Sequence, residues 1–374
     1  MVPQDQQMEV EFCTLGMFII DEIDFGDSRP GVKNILGGAA SFAVVGARLV
    51  SGSKYARSVS WIVDVGSDFP VETLDPGMAI ILTRNEADFK YLTPKLRLEP
   101  EMLSDSQVWS KTFHMVCSPS RCLSIVHHII QRRDELQEAG KAPSAAHASK
   151  RPIFVWEPVP DLCTPEEQDK FFAANKVVDV VSPNHMELGM MFNHPGWTEK
   201  SQEGQQLVQR IAESGIGPDG TGMLVIRAGK DGSYAYSKSS KIWLPAYHQP
   251  DASGATPVID PTGAGNSFLG ALAQGMVTAG REPFEVIDSV LSKSNNWNKA
   301  LESWGNYQHY PVALICATVA AGFVVEQIGV PHIDANRDGE ELWNGTEFTE
   351  RVRLYTQRLL RTLEESPQRH ILVN

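Results

Sequence analysis

The sequence is short of cysteine, of positive charge and of long apolar runs, and each shortage excludes something. Its five cysteines, Cys13, Cys117, Cys122, Cys163 and Cys316, are odd in number and scattered, with no C-x-x-C pair. A disulfide framework is therefore excluded and a reducing compartment expected. Lysine and arginine total 33 against 46 aspartates and glutamates, a formal charge of −13. A surface that acidic repels phosphate backbones and anionic lipid heads, so no direct nucleic-acid partner is expected. The longest apolar run, Val312 to Val325, is about 14 residues, short of the roughly 20 that cross a bilayer. The opening stretch Met1 to Glu11 is polar and acidic, unlike a secretory or transit peptide. These absences, with no internal repeat and no low-complexity block, predict a soluble, cytoplasmic protein with no membrane partner.

What is present is an ordinary globular composition: 374 residues, 42% hydrophobic and 21% charged. At roughly 150 residues per domain this allows two or three units, and equally one large α/β domain with insertions. Apolar runs predict strands at Phe12–Ile20, Val59–Val63, Met78–Leu82, Ile153–Trp156, Val177–Val181 and Met223–Arg227. Several are solid rather than alternating, the mark of parallel strands buried on both faces. Helical patterns lie between and after them, at Leu123–Glu138, Pro165–Asn175, Gly204–Ser214 and Val312–Gln327. The amphipathic tail Thr349–Glu365 reads as a helix docked on the domain, and Lys293–Tyr310 as an irregular insertion. That alternation predicts a mainly parallel sheet with helices on both sides.

The chemistry concentrates in Pro257-Val258-Ile259-Asp260-Pro261-Thr262-Gly263-Ala264-Gly265-Asn266-Ser267-Phe268. This reads as a short strand running through Gly-Ala-Gly directly into a helix. Small residues let a backbone approach an anion closely, and a helix start aims free N–H groups at it. Such a turn suits charge developing on a transferring phosphoryl group. Cys117, Cys122, His127 and His128 match no zinc-ligand spacing, and the adjacent histidines diverge on a helix.

The same segment resembles the C-terminal signature D-T-x-G-A-G-D-x-F of the PfkB, or ribokinase-like, family of small-molecule kinases. Further matches follow in the family's order. They are Gly16 with Asp21, the pair Gly37-Gly38, Asp64-Val65-Gly66-Ser67-Asp68, Pro183-Asn184-His185-Met186-Glu187, and Ala228-Gly229-Lys230-Asp231-Gly232. The phrases Gly16-Met17-Phe18-Ile19-Ile20-Asp21 and Trp156-Glu157-Pro158-Val159-Pro160 are similar to a fungal branch of the family.

The resemblance implies a three-layer α/β/α sandwich with a small β lid. It implies one domain over about residues 9–335, lid segments at about 22–36 and 78–112, and a helical extension over 336–374. It implies ATP as donor with Mg²⁺, a small-molecule acceptor such as a sugar or nucleoside, and a monomer or homodimer. Residue by residue, Asp21, Gly37 and Gly38 would hold the acceptor, with Phe42 beside them. Asn184, Arg227, Gly229, Asp260 and Thr262 would meet the nucleotide, and Glu187 the metal. Gly263, Ala264 and Gly265 would cradle the transferring phosphate.

Each residue also has a plainer reading. Asp21 or Asp260 can simply close a strand, Asn184 and Glu187 can be a turn and a first-turn acid, and Arg227 a surface ion pair. His185 reads as structural.

Three positions depart from the family pattern. Asn266 stands where the family has its catalytic aspartate, and an amide orients a hydroxyl without accepting its proton. Phe42 replaces a polar acceptor ligand, and Arg227 replaces a threonine, bringing a fork suited to phosphate oxygens. The expectation is an ATP-dependent kinase of a small-molecule hydroxyl, slowed by the loss of its base. The alternative is a pseudokinase that binds nucleotide and acts through protein partners.

Overall fold

The computed structural model describes residues 9–23, 31–65, 81–84, 97–144, 149–335, 340–365 and 372–373. The first strands are β1 (Phe12–Thr14), β2 (Ile19–Ile23), β3 (Val32–Gly37), β4 (Val59–Val65), β5 (Ile81–Arg84), β6 (Thr112–Cys117) and β7 (Ile153–Pro158). They are followed by β8 (Val180–Val181), β9 (Met223–Arg227), β10 (Ser233–Tyr236), β11 (Lys241–Leu244), β12 (Ile333–Ala335), β13 (Glu341–Trp343) and β14 (Leu372–Val373). The helices are α1 (Gly38–Ser51), α2 (Asp105–Val108), α3 (Pro119–Glu138), α4 (Gln168–Asn175), α5 (His185–Met191) and α6 (Gln202–Glu213). After these come α7 (Ala264–Gly275), α8 (Glu282–Leu291), α9 (Asn295–Ser303), α10 (His309–Val324) and α11 (Phe348–Glu365). Local chemistry sets several boundaries. Ser118 caps α3 by accepting from the Arg121 N–H, with Pro119 at the first helical position.

One sheet runs β14-β11-β10-β9-β8-β7-β6-β1-β4-β5, parallel from β9 to β5 and antiparallel at β10, β11 and β14. Strand residues alternate between two apolar cores. Phe12, Trp61, Val155 and Val225 face α1, α7 and α10, whereas Phe113, Phe154, Trp156 and Ile226 face α3, α4 and α6. Descending strand order breaks between β6 and β1, which places a crevice beyond the carboxyl ends of these strands. The three-layer arrangement read from the sequence is the one found.

Several boundaries differ. The strand expected at Phe12–Ile20 is two, because the Gly16 N–H turns back to Thr14 Oγ1 and the chain leaves the sheet. Asp21 then sits inside β2, which pairs with β3 as an antiparallel hairpin over the crevice side of α1. Of the other expected lid span, 78–112, residues 81–84 instead pair in parallel with β4 at the edge of the main sheet. Leu98, Leu103, Val108 and Trp109 from that span belong to the core under α3. No strand forms at 257–260; the N–H groups of Ile259 and Asp260 go to the Val325 carbonyl at the end of α10, with no neighbouring strand to pair. The insertion at 293–310 contains α9, capped by Ser294. Gly66, Ser67 and Asp68 lie outside the described residues.

Two features hold the helical layer that carries the site. Helices α1 and α7 touch backbone to backbone. A methyl group on Gly46 would lie 1.9 Å from the Ser267 carbonyl oxygen, and one on Gly270 would lie 1.9 Å from that of Ala43. Glu11, just before β1, is 2% exposed and fully engaged. It accepts from Arg281 Nη1 and Nη2 at 2.7 and 2.6 Å, Gln274 at 2.9 Å, Ser58 at 3.1 Å and Lys111 at 3.2 Å. Burial raises its carboxyl, but Arg281 and Lys111 outweigh burial and hold it below the ordinary range.

The C-terminal extension docks through Phe348, Val352, Tyr355, Leu359 and Leu363 into the core shared by α1 and α7. Glu326 anchors it, accepting from Arg351 at 2.5 and 3.0 Å, His248 at 2.9 Å and Asn344 at 2.9 Å. Burial pushes this carboxyl up, but the hydrogen bonds from His248, Arg351 and Asn344 and the Arg351 charge bring it down to about 2.

Two outcomes follow. Gly270→Ala should destabilise the protein by about 1–3 kcal/mol or more, because a methyl group must push backbone aside; denaturant melts against wild type measure this. A depressed carboxyl stabilises the fold above its ordinary value of 4.5 and loses that contribution as pH falls toward about 2. Glu326→Gln should therefore cost stability at neutral pH and flatten the acid limb across that window, read from melting temperature against pH.

Candidate phosphoryl-transfer site

Gly263 starts the site. Its φ of 80° is left-handed, which glycine adopts without strain, and it turns the chain into α7. The Asp260 carboxylate accepts from the Thr262 N–H at 2.9 Å, so Asp260 shapes the approach and Thr262 is exposed beside it. The face of Gly263 is covered by Phe42, whose ring atoms would lie 2.3 Å from a methyl group there. Phe42 is 3% exposed. The phenyl ring expected to line an acceptor pocket is thus a wedge under the loop. Asn266 lies in the first turn of α7, and its Oδ1 is buried without a hydrogen-bond partner.

Arg227, at the end of β9, reaches across to this loop. A methyl group on Gly265 would lie 2.0 Å from Arg227 Nη1. The rest of the guanidinium is held from the opposite side. Nη2 donates to Glu157 Oε1 at 2.7 Å and to the Ser182 carbonyl at 3.0 Å, and lies 3.5 Å from Glu187 Oε2. Nε donates to Ser182 Oγ at 3.3 Å. The surface ion pair weighed for this arginine is a largely buried one, joining the carboxyl ends of β7, β8 and β9.

Asn184 and Glu187 form a capping box on α5. Asn184 Oδ1 accepts from the N–H groups of Met186 and Glu187 at 2.9 and 2.8 Å, and Glu187 Oε2 accepts from the Asn184 N–H at 2.7 Å. Burial pushes the Glu187 carboxyl up, opposed by Arg227 and reinforced by Glu157. His185 Nδ1 lies 3.4 Å from the Arg227 carbonyl oxygen, a backbone contact. The Gly229 turn follows β9, with open space on the glycine at a φ of 56°.

On the lid side, Asp21 is half-buried on β2, and burial raises its carboxyl. Its Oδ2 lies against Gly37, where a methyl group would come within 2.0 Å. Gly38, φ 85°, opens α1 under the Met17 carbonyl. Asp21 and Gly37 therefore touch, while Arg227, Glu187 and Gly265 form a separate cluster, with Asn266 next along the chain.

Three contributors escaped the sequence reading. Glu157 is the last residue but one of β7, is 6% exposed, and leaves Oε2 unpartnered. A charged residue ending a solid apolar strand was the available signal. Ser182 supplies two of the bonds that orient Arg227. His114, paired with Thr14 across the β1–β6 break at 2.9 Å, is fully buried with Nε2 unpartnered. Burial, helped by the Arg227 charge, pushes it down to about 3, so its ring is neutral.

A magnesium ion asks for near-octahedral oxygen ligands at about 2.0–2.1 Å. Here Glu157 Oε1 accepts from Arg227, Glu187 Oε2 accepts from the Asn184 N–H and faces Arg227, and Glu157 Oε2 is buried without a partner. Among the described residues no three His, Cys, Asp or Glu side chains converge as a metal cage. The carboxylate oxygens that face Arg227 are therefore closed to a directly coordinated divalent ion.

A family model described as pfkB family carbohydrate kinase matches residues 118–290. An uncharacterized protein of Schizosaccharomyces pombe is 30% identical over 93% of each chain, and Protein MAK32 of Saccharomyces cerevisiae is 29% identical over 91% of each. The fold is similar to ribokinase from Giardia lamblia, with a TM-score of 0.56 and 16% identity over 95% of this chain and 99% of that one. It is also similar to a putative ribokinase II from E. coli solved with ATP and Mg²⁺, with a TM-score of 0.51 and 14% identity over 93% and 99%. The chain belongs to the pfkB family of carbohydrate kinases, and its similar sequences include two fungal ones. Among the described residues no helix is long and apolar enough to cross a membrane.

Proposed function

We propose that the protein transfers a phosphoryl group from ATP to a hydroxyl of a small polar acceptor of the sugar or nucleoside class. The observation that carries this reading is the unpartnered Asn266 Oδ1 beside the Gly263–Gly265 turn. Leaving a buried acceptor unsatisfied costs about 1–3 kcal/mol, and an acceptor hydroxyl donating to it would recover that cost. In this reading Asp21 accepts from a second hydroxyl, and Gly37 and Gly38 let the acceptor lie close to backbone. The first N–H groups of α7 face the phosphoryl oxygens.

The attacking oxygen forms its bond to phosphorus as the bond to the bridging oxygen breaks. The hydroxyl proton leaves late, to a phosphate oxygen or to water, because an amide cannot take it. A loose transition state makes that tolerable, since positioning and charge neutralisation dominate. The lid hairpin would exclude water during transfer.

A second reading, binding without turnover followed by action through a protein partner, draws on Phe42. Its buried ring occupies the place of a polar acceptor ligand.

Transfer of labelled γ-phosphate from ATP into a fungal small-molecule extract separates the two readings. Asn266→Asp should raise turnover, by up to the roughly 10²–10⁴-fold that general-base catalysis contributes. A rate unchanged or lowered would count against the catalytic account. Product from the aspartate variant alone would favour the binding protein.

A further inference from the structure

We propose that Arg227 serves as the bridging cation of this site, so that the nucleotide's phosphates bind without a divalent ion. The inference rests on the phosphoryl-transfer reading and deepens it. A bridging ion needs an acid on one side and phosphate oxygens on the other. The Arg227 guanidinium has both faces set for that role. Nη2 is held by Glu157 at 2.7 Å and faces Glu187 at 3.5 Å, while Nη1, which joins none of these bonds, lies against Gly265.

The placement makes little electrostatic sense on its own. A guanidinium at the first turn of α7 faces the positive end of a helix dipole. The two acids offset that cost from behind, and an anion arriving in front would offset it from the loop side. A methyl group at 265 would have to push Nη1 aside, so glycine is what admits the contact as it stands. Ser182, accepting from Nε at its Oγ and from Nη2 at its carbonyl, fixes the plane of the fork. The two acid oxygens that face it are thereby withdrawn from a metal. The guanidinium takes its position between acid and phosphate.

Binding of ATP and of inorganic triphosphate, measured by calorimetry in excess EDTA and again in magnesium, tests this. Wild type should bind in EDTA within about threefold of its affinity in magnesium, a spread of well under the 1.4 kcal/mol that marks a tenfold change. Arg227→Thr should lose at least about tenfold in EDTA, the scale of one charge-assisted hydrogen bond. Because that variant leaves two buried acids facing each other, Glu157→Gln combined with Arg227→Thr removes one charge of each sign and should show the same loss. Wild-type binding seen only with magnesium overturns the inference and leaves the phosphoryl-transfer site standing. No binding under either condition overturns both. Undiminished EDTA binding in the double variant overturns the assignment to Arg227.

Discussion

The site depends on how closely two helices approach each other. Gly46 and Gly270 let α1 and α7 meet backbone to backbone, with carbonyl oxygens where methyl groups would otherwise be. Both helices begin at the crevice, one at Gly38 and the other at Ala264, so their crossing fixes the distance between the acceptor wall and the phosphate turn. Phe42 lies on the same helix, one residue before Ala43 and four before Gly46, and so arrives under Gly263 by the same crossing. The aromatic ring and the glycine turn are one packing unit. Neither can change size without moving the helix start that carries Asn266.

A second constraint is electrostatic. A buried guanidinium is tolerable only with its charge answered and its donors filled, and each strand end contributes. Strand β7 brings Glu157, the β8 exit brings Ser182, and the α5 cap brings Glu187. The capping box has two consequences here. It satisfies the first N–H groups of α5, and it orients the very carboxylate that faces Arg227. The plain structural reading of Asn184 and Glu187 and the functional one are therefore the same geometry.

Much of this was legible in the sequence, and the gaps have causes. Solid apolar runs such as Ile153–Trp156 and Met223–Arg227 report strands buried on both faces, and these were found. Strand β6 does not show in the apolar pattern, because Thr112 and His114 break its run; both are buried, with His114 Nδ1 paired to Thr14 from a strand 100 residues away. The approach to Gly263 looked like a strand because Val258 and Ile259 are β-formers, yet Ile259 is 67% exposed and bonds to a helix end. The departures at Phe42, Arg227 and Asn266 were visible as letters. Their meaning was not, because it lies in which of them touch: Phe42 on Gly263, Arg227 on Gly265. No periodicity encodes a contact between residues so far apart in the chain.

The Glu11 cluster imposes an order on how the protein comes into being. Glu11 precedes β1, the strand between β6 and β4, and its strongest partner, Arg281, lies 270 residues further along. At roughly 5–20 residues per second on the ribosome, that interval is on the order of 15–50 s. During it Ser58 and Lys111 have emerged, but the bidentate cation that makes a buried carboxylate affordable has not. The half-sheet of β4, β1 and β6 can thus pair early, while the entry to its middle strand must stay hydrated. Birth of the molecule ends where its chain began, when a late helix start seals the first strand into place.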